Sequence, residues 1–463
     1  MTGEKYRKEN QIFYIFTLIY IITILLSKAG QHIAAGLLLL SGSVALYIGY
    51  YNKSKDLLNM KGVLGLFWFG GQGIAAMQLS NLQKDWHNNL WLIAYLFYFF
   101  FLIGFSRKEG KIKVSRKKQP SLDTDVLKRL FHCIVIIGSL STFSFLLEAI
   151  ILGYIPLFSS STHAYNSFHI TGVHYFTFSC MFVHPLTVIY VLGIKESSLD
   201  LKKNNLIVLV IMNLLAFSIA IMCISKFQFL LTLALPIIVY LSMKDTIPWK
   251  KILVVGVILG VFVVAMVVFM TVRRNYEPGY LNSIFEMKYE NMPMWIQYPY
   301  MYIANNYENL NCLVEAVSSG VGSYSMGLRM LFPFVALTGL KFVMPQLVVG
   351  EVFITKPELN TLTILYDAYY DFGILGVILF GIVLGFLCGW VVNLMKKKDN
   401  PITYLLFGQV MMYLMLSFFS TWFSNPTTWF WFAITMIMYI YVKIDYFKGN
   451  KQRKKMYKVN VEV

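Results

Sequence analysis

Two carboxylates stand one helical turn apart in the stretch TILYDAYYDFG, at the head of a long apolar run. Asp367 and Asp371 lie about 40° apart on a helical wheel, so both side chains point to one side of the predicted helix. Like charges at this spacing repel unless a cation lies between them or one is protonated. Three roles stay open: an ion pair with Arg273, Arg274 or Lys226 that ties the helix to its neighbours, a general base or sugar-hydroxyl ligand beside a phosphate site, and a solvated helix extension.

The cations that membrane orientation does not explain lie at the predicted outer ends of the helices. Lys226 stands alone in CISKFQF, Arg273 and Arg274 occur in VRRNYEPG, and Arg329 lies further along the chain. A lone lysine at a helix end ordinarily reaches the membrane interface, and paired arginines ordinarily meet lipid phosphates. The gathering of these cations on one face favours an anion site, because guanidinium groups clamp phosphate oxygens with a forked geometry.

Several groups are candidates to take a proton from a hydroxyl near such an anion site. The aspartates come first, Asp371 ahead of Asp367, and Glu277 follows the arginine pair. Glu148 precedes LGYIPLFSSS and His163 lies in SSSTHAYNSFH, where we expect both to contact substrate. Carboxylates and imidazoles are the usual general bases of enzymes. The sequence therefore predicts a site for an anion and a hydroxyl, and leaves the identity of the base open.

The elements that position these residues are membrane helices. Of the 463 residues, 57% are hydrophobic and 14% charged, which is typical of an all-α polytopic membrane protein. A basic N-terminal segment leads directly into an apolar run with no small-residue cleavage site, so we expect an uncleaved first helix. About twelve apolar runs predict spans near 12–29, 32–51, 62–80, 89–106, 128–150, 173–194, 205–222, 227–243, 252–271, 366–395, 402–420 and 428–443.

The charge pattern orients the predicted spans. Most Lys and Arg residues, including those of 107–118 and of the basic tail 444–463, fall on one side if both termini are cytoplasmic. External loops are then expected at 152–172 and, between helices nine and ten, at 271–359, where short interfacial helices include an apolar segment 330–350 on the outer leaflet. The net charge of +17 reflects this cytoplasmic face near anionic lipid, and nucleic acid is not an expected partner. We predict one transmembrane domain, 1–463.

The tenth predicted span carries the aspartates on a face that packs against other helices. Its cap is predicted at Asn360 or Thr361, and glycines recur at every fourth residue further along the run. Such a stripe packs against neighbouring membrane helices, and Asp371 lies close to its direction on the wheel. The carboxylates are therefore expected to face the helix bundle. The glycines of the stripe are Gly381, Gly385 and Gly389.

Cysteine spacing gives no sign of a metal site or a disulfide framework. The five cysteines are scattered without a CxxC pair, and most lie in apolar runs, where cysteine behaves as a small hydrophobic residue. No metal and no cofactor is predicted.

Taken in order, several motifs resemble the bacterial O-antigen and oligosaccharide repeat unit polymerases of the Wzy type. They are LGYIPLF after the fifth span, ISKFQFLLTLALPI at an outer hinge, YPYMYIANNYENLN in the large loop and TILYDAYYDFGILGVILFGIVLGF at the tenth span. The resemblance covers the chain from about Leu146 to Lys396. Relatives often carry arginine where this chain has Lys226, and the R-x10-G repeat of some O-antigen polymerases is not found here.

The resemblance implies a metal-independent glycosyltransferase with a GT-C-like helical architecture. It would transfer a growing glycan from undecaprenyl pyrophosphate to an incoming lipid-linked oligosaccharide repeat, on the outer face of the bacterial cytoplasmic membrane. The product would be O-antigen lipopolysaccharide, capsule or another cell-envelope polysaccharide, and a chain-length regulator and a flippase would be partners. Polyprenyl pyrophosphate leaves readily once cations meet its developing charge, and Lys226, Arg273, Arg274 and Arg329 are the expected pyrophosphate ligands.

Two other functions remain as alternatives. An O-antigen-ligase-like transferase would show similar helices and loops but would move a finished glycan to a different acceptor. A lipid-linked oligosaccharide flippase or other transporter would show internal repeats and charged residues near the bilayer midplane, and neither feature is evident in the sequence.

Overall fold

The described part of the chain folds mainly into α-helices. The computed structural model describes residues 2–108, 122–159, 164–244, 279–289, 291–397 and 399–459, with side-chain detail outside 2–10, Lys226 and 444–459. These residues form no β-strand, and one isolated bridge joins Ser80 to Met287. The helices are α1 Thr2–Lys28, α2 His32–Ser54, α3 Met60–Ala76, α4 Asn88–Lys108, α5 Thr124–Leu152, α6 Ala164–Ser167, α7 Val173–Phe178, α8 Val183–Glu196, α9 Lys203–Met222, α10 Lys226–Met243, α11 Tyr280–Phe285, α12 Met294–Ser318, α13 Leu328–Leu337, α14 Leu340–Val343, α15 Tyr366–Lys397, α16 Ile402–Met415 and α17 Pro426–Val459.

In the described part of the chain, seven helices are long and apolar enough to cross a membrane. They confirm the prediction of a helical membrane protein. The predicted spans near 227–243 and 402–420 correspond to shorter apolar helices, in α10 and α16. Those near 62–80 and 428–443 correspond to α3 and α17, which are not among the seven, and 252–271 lies outside the described residues. The seven are Gln11–Lys28, His32–Ser54, Asn88–Lys108, Thr124–Leu152, Val173–Glu196, Lys203–Met222 and Tyr366–Lys397.

The chain divides into two compact units, each built from separate stretches. The first unit comprises 1–110, 257–390 and 413–428, and the second comprises 111–256, 391–412 and 429–463. Within the first unit, α3 is buried over almost its whole length and packs against α2 and α12. A helix in this position meets protein on most sides, so it need not carry a lipid-facing apolar surface.

Helix α12 is a 25-residue helix inside the predicted large loop, where only short helices were expected. Its buried amide side chains explain why it is polar and yet internal. Asn309 donates to the carbonyls of Leu359 at 2.7 Å and Thr361 at 2.9 Å, and Asn306 donates to the Phe418 carbonyl at 2.8 Å. Helix α12 thus satisfies the backbone of irregular segments that would otherwise be buried without partners.

The predicted glycine stripe packs against α4 in the first unit. A Cβ added at Gly385 would lie 2.1 Å from the Phe101 carbonyl oxygen, and one at Gly381 would lie 2.8 Å from that of Phe97. From the other side, a Cβ at Gly104 would meet the Ile382 carbonyl oxygen at 2.1 Å. For Gly381 and Gly385 the prediction of close helix packing is confirmed.

Helix α15 starts later than predicted and is broken near its beginning. The cap predicted at Asn360 or Thr361 is wrong, since the helix begins at Tyr366. The backbone leaves helical geometry at Phe372 (φ −141°, ψ 22°) and Gly373 (φ 57°, ψ −138°). The wheel direction that linked Asp371 to the glycine stripe therefore does not apply across the break.

The second unit contains α5 to α10, and the predicted span 173–194 is interrupted within it. Helix α7 gives way to a 3-10 segment, Ser179–Phe182, before α8 continues. Helix α5 ends at a left-handed Gly153 (φ 76°), where glycine has no Cβ to clash. In the described part of the connection before α7, Ile170 lies beside Glu148, because its N–H donates to Glu148 Oε1 at 3.0 Å.

Candidate functional site

An ion pair joins Asp367 to Arg329 in the first unit. The Arg329 Nε donates to Asp367 Oδ1 at 2.7 Å, and the two side chains are only 13% and 7% exposed. The Ser424 hydroxyl donates to the other oxygen, Oδ2, and Arg329 Nη1 donates to the Val349 carbonyl at 2.9 Å. Asp367 therefore forms an ion pair, one of the roles left open for it, but its cation is Arg329 and not one of the three that were expected, Arg273, Arg274 and Lys226.

Two tyrosines of the same helical turn hold the guanidinium group in place. Its carbon lies 5.2 Å from the ring centre of Tyr370 and 5.9 Å from that of Tyr366. The Tyr366 hydroxyl is fixed in turn, because it donates to the Phe353 carbonyl at 3.0 Å and accepts from the Phe353 N–H at 2.8 Å. Cation-π contact and the ion pair together leave Arg329 little rotational freedom.

Asp371 caps the N-terminus of α13. Its Oδ1 accepts from the Ser325 hydroxyl at 2.6 Å and from the Arg329 N–H at 3.0 Å, and its Oδ2 accepts from the Met330 N–H at 2.9 Å. These N–H groups belong to the first turn of α13 and have no partner within the helix. Asp371 is fully buried, so it acts here as a capping group from a different helix and sets the position of Arg329.

A cavity of about 280 Å³ opens beside the ion pair. Its walls combine apolar side chains with polar groups from the segment before α17. Within the described residues no hydrogen bond engages Arg329 Nη2, Asn425 Nδ2 or the Thr421 hydroxyl, so the cavity presents donors without partners. The lining residues are Leu328, Arg329, Phe332, Val348, Val349, Asp367, Thr421, Ser424, Asn425 and Pro426.

Glu148 lies in the second unit and is fully buried. It accepts from His174 Nδ1 at 2.9 Å, from the Thr177 hydroxyl at 2.7 Å and from the Ile170 N–H at 3.0 Å. Lys226 is the first residue of α10, after the capping Ser225, whose side chain accepts from the Gln228 N–H.

The remaining predicted residues lie outside the described part of the chain: Arg273, Arg274 and Glu277 in 245–278, and His163 in 160–163. Of the predicted residues that are described with their side chains, the structure brings together Asp367, Asp371 and Arg329 in the first unit, and Glu148 belongs to the second unit.

Sequence reasoning missed the polar groups around the two aspartates. Ser325, Thr421, Ser424 and Asn425 reach the cluster from segments far away in the chain, so no local spacing points to them. Asn425 did carry a signal of a different kind, since Asn before Pro426 marks a helix start. His174, the partner of Glu148, was not among the predicted site residues.

No family model, curated protein or solved structure matches this chain.

Proposed function

We propose that this chain is a polysaccharide polymerase of the cytoplasmic membrane, which transfers a growing glycan from undecaprenyl pyrophosphate to a lipid-linked oligosaccharide repeat on the outer face. The observation that carries the proposal is the cavity beside Arg329 and Asp367. It offers a carboxylate, a guanidinium and unpartnered donors in the part of the chain where the sequence motifs place the chemistry. The multi-helix membrane architecture and the order of the motifs support the same activity.

The charge balance of the cavity favours sugar hydroxyls as its ligand. Arg329 is already neutralised by Asp367 at 2.7 Å, and a pyrophosphate bound there would meet no net positive charge. A hydroxyl group can instead donate to Asp367 Oδ2 in place of Ser424 and accept from Arg329 Nη2. In this proposal Arg329 recognises the glycan, which differs from its predicted pyrophosphate role, and the pyrophosphate is left to Lys226, Arg273 and Arg274.

The shape of the lining matches a ligand with polar and apolar faces. Phe332, Leu328 and Val348 form an apolar wall opposite Thr421 and Asn425. A sugar ring presents apolar C–H faces and a polar hydroxyl rim, so both kinds of wall are useful for holding it. The cavity volume of about 280 Å³ lies just below the range of about 300–1,000 Å³ for small-molecule sites, which fits one or two sugar units of a longer glycan.

The test uses a strain whose copy of the gene is deleted and replaced by variants. We expect Asp367→Asn and Arg329→Met each to lower polymerisation about 10- to 100-fold, because each removes a charge-assisted hydrogen bond worth about 1.5–3 kcal/mol. A gel of the cell-surface glycan would then show single repeats in place of a ladder. Membrane levels of the protein, measured with an epitope tag, would show that the variants are still made and inserted.

A second ion pair of the same unit provides the matched control. Lys356 Nζ lies 2.6 Å from Glu286 Oε1, away from the cavity lining, and Glu286→Gln should leave the ladder unchanged. Normal ladders from Asp367→Asn and Arg329→Met would contradict the role of the cavity. In the deletion strain itself, a full ladder left on the lipid carrier would instead indicate a ligase, and repeats trapped inside the cell a flippase.

A further inference from the structure

The pair formed by Glu148 and His174 has the geometry of a proton-transfer dyad. His174 Nδ1 lies 2.9 Å from Oε1 and 3.1 Å from Oε2 of the fully buried Glu148. The Thr177 hydroxyl and the Ile170 N–H fill the remaining acceptor positions of the carboxylate. These hydrogen bonds fix the position of the Glu148 carboxylate, and His174 is the imidazole that they leave in contact with it.

This arrangement fixes which nitrogen of His174 carries hydrogen. An ionised carboxylate only accepts, so Nδ1 must donate, and in the neutral ring the lone pair then lies on Nε2. Among the described residues no hydrogen bond engages Nε2, and the side chain is 12% exposed. His174 therefore presents an oriented proton acceptor that a small group of a ligand can reach.

The ring is packed on several sides. Its centre lies 4.2 Å from that of Phe178 and 4.9 Å from that of His169. The titratable groups that face the dyad in the described residues are His169, from the connection before α7, and Cys223, which interacts electrostatically with Glu148. Packing of this kind holds the base in position before a ligand arrives. A base that is already oriented lowers the entropic cost of reaching the reactive geometry.

The helix that carries His174 is hydrogen-bonded to the helix that begins at Lys226, which is one of the predicted pyrophosphate ligands. Gln228 Nε2, in the first turn of α10, donates to the Phe178 carbonyl at the end of α7 at 2.9 Å. Lys226 is the first residue of that turn of α10, and His174 lies in α7. Two hydrogen-bonded elements of the second unit therefore carry His174 and Lys226.

We propose that His174 is the catalytic base for the acceptor hydroxyl and that Glu148 is its positioning residue, an inference that rests on the proposed function. The hydroxyl gives its proton to His174 Nε2, and its oxygen uses the freed electron pair to bond to the anomeric carbon of the donor sugar. The bond from that carbon to the pyrophosphate oxygen breaks, and its electron pair leaves with polyprenyl pyrophosphate. Glu148 stabilises the imidazolium that results, as in other carboxylate–histidine pairs.

Purified full-length protein in lipid nanodiscs would be assayed for glycan growth on the lipid-linked repeats extracted from the deletion strain. We expect His174→Ala to lower kcat by about 100-fold or more with KM changed less than about threefold, the usual size of a lost general base. Added imidazole should restore part of the rate to this variant. Glu148→Gln should move the acidic limb of the pH–rate profile to lower pH, since a neutral amide no longer stabilises the imidazolium.

His132→Gln is the matched control, because His132 lies on the same helix as Glu148, is exposed, and forms a hydrogen bond with the Tyr441 hydroxyl at 3.2 Å. It should keep the wild-type rate and pH profile. A wild-type kcat in His174→Ala would overturn the inference. So would a loss in His174→Ala that imidazole does not relieve, together with an unmoved acidic limb in Glu148→Gln. If the proposed function itself fails, the deletion strain keeps its glycan ladder, which is a separate result.

Discussion

At the scale of single residues, this chain places carboxylates in its interior and gives each a different kind of partner. Asp367 has a guanidinium, Asp371 has the first turn of a helix, and Glu148 has an imidazole. Buried charge is tolerated only where hydrogen bonds or an opposite charge replace water. Glu308 is a fourth buried carboxylate in the described residues, and its partners, like those of Asp371, are neutral.

Glu308 on α12 should make stability depend on pH. Its carboxylate accepts from the Trp86 indole at 3.0 Å, and burial, with a smaller effect from the Glu315 charge, raises the pKa of Glu308 to about 7. Because this pKa is raised on folding, its stabilising contribution is full below the unfolded pKa and is lost as pH rises through about 7. The total effect is roughly 3 kcal/mol.

We therefore expect the melting temperature of the purified protein to fall between about pH 5 and about pH 8, as followed by differential scanning fluorimetry. Glu308→Gln should remove most of this dependence. Glu358→Gln, on an exposed side chain, should leave it intact. A melting curve for Glu308→Gln with the full wild-type pH dependence would show that another group is responsible.

At the scale of elements, the break in α15 controls how the two aspartates are presented. A straight helix would carry Asp367 and Asp371 in line with the glycine stripe that packs on α4. The break at Phe372 and Gly373 instead folds the first turns back, so that a Cβ on Gly376 would lie 2.0 Å from the Ala368 carbonyl oxygen. The turn with the aspartates is thereby free to bind α13, while the glycines keep their own contact.

Gly373→Ala should damage the site without touching its charges. The φ of 57° with ψ of −138° suits only glycine, and an added Cβ would lie 2.7 Å from the Tyr324 hydroxyl oxygen. We expect a loss of about 1–3 kcal/mol in unfolding free energy, measured in denaturant, and a shorter glycan ladder.

Gly350→Ala is the control, because its added Cβ meets nothing within 4 Å. Adding Tyr324→Phe to Gly373→Ala should recover only part of the loss, since it removes the close oxygen but not the backbone strain. Full stability in Gly373→Ala would mean that the break is not needed.

The elements also show how much of the candidate site could be predicted from the sequence. Helical spacing placed Asp367 and Asp371 on one face of their turn, and both do contact the start of α13. The break was not predictable, because a glycine in an apolar run is ordinary in a membrane helix. Arg329 as the partner of Asp367 was not predictable either, since the pairing depends on the turn before α13, where Met326 (φ 50°) and Gly327 (φ 93°) are left-handed.

At the scale of the whole molecule, the number of crossings decides which face carries the site. Helix α3 has 17 residues and is not among the seven helices long and apolar enough to cross. If α3 did not cross, the basic segment 107–118 would move to the outer face, against the positive-inside pattern. Because α3 is buried among other helices, a shorter apolar helix can still cross, and we expect that it does.

Cysteine labelling of intact cells separates the two topologies. With twelve spans Val321 lies outside and Asp200 inside, whereas seven spans with a cytoplasmic N-terminus reverse both positions. The side chain of Val321 is 77% exposed, and four of the native cysteines are buried and Cys312 is partly buried, so background labelling should be low. We expect a membrane-impermeant maleimide to label Val321→Cys in intact cells and Asp200→Cys only after permeabilisation. The opposite pattern would put the cavity beside Arg329 on the cytoplasmic side, where an outer-face polymerase cannot use it.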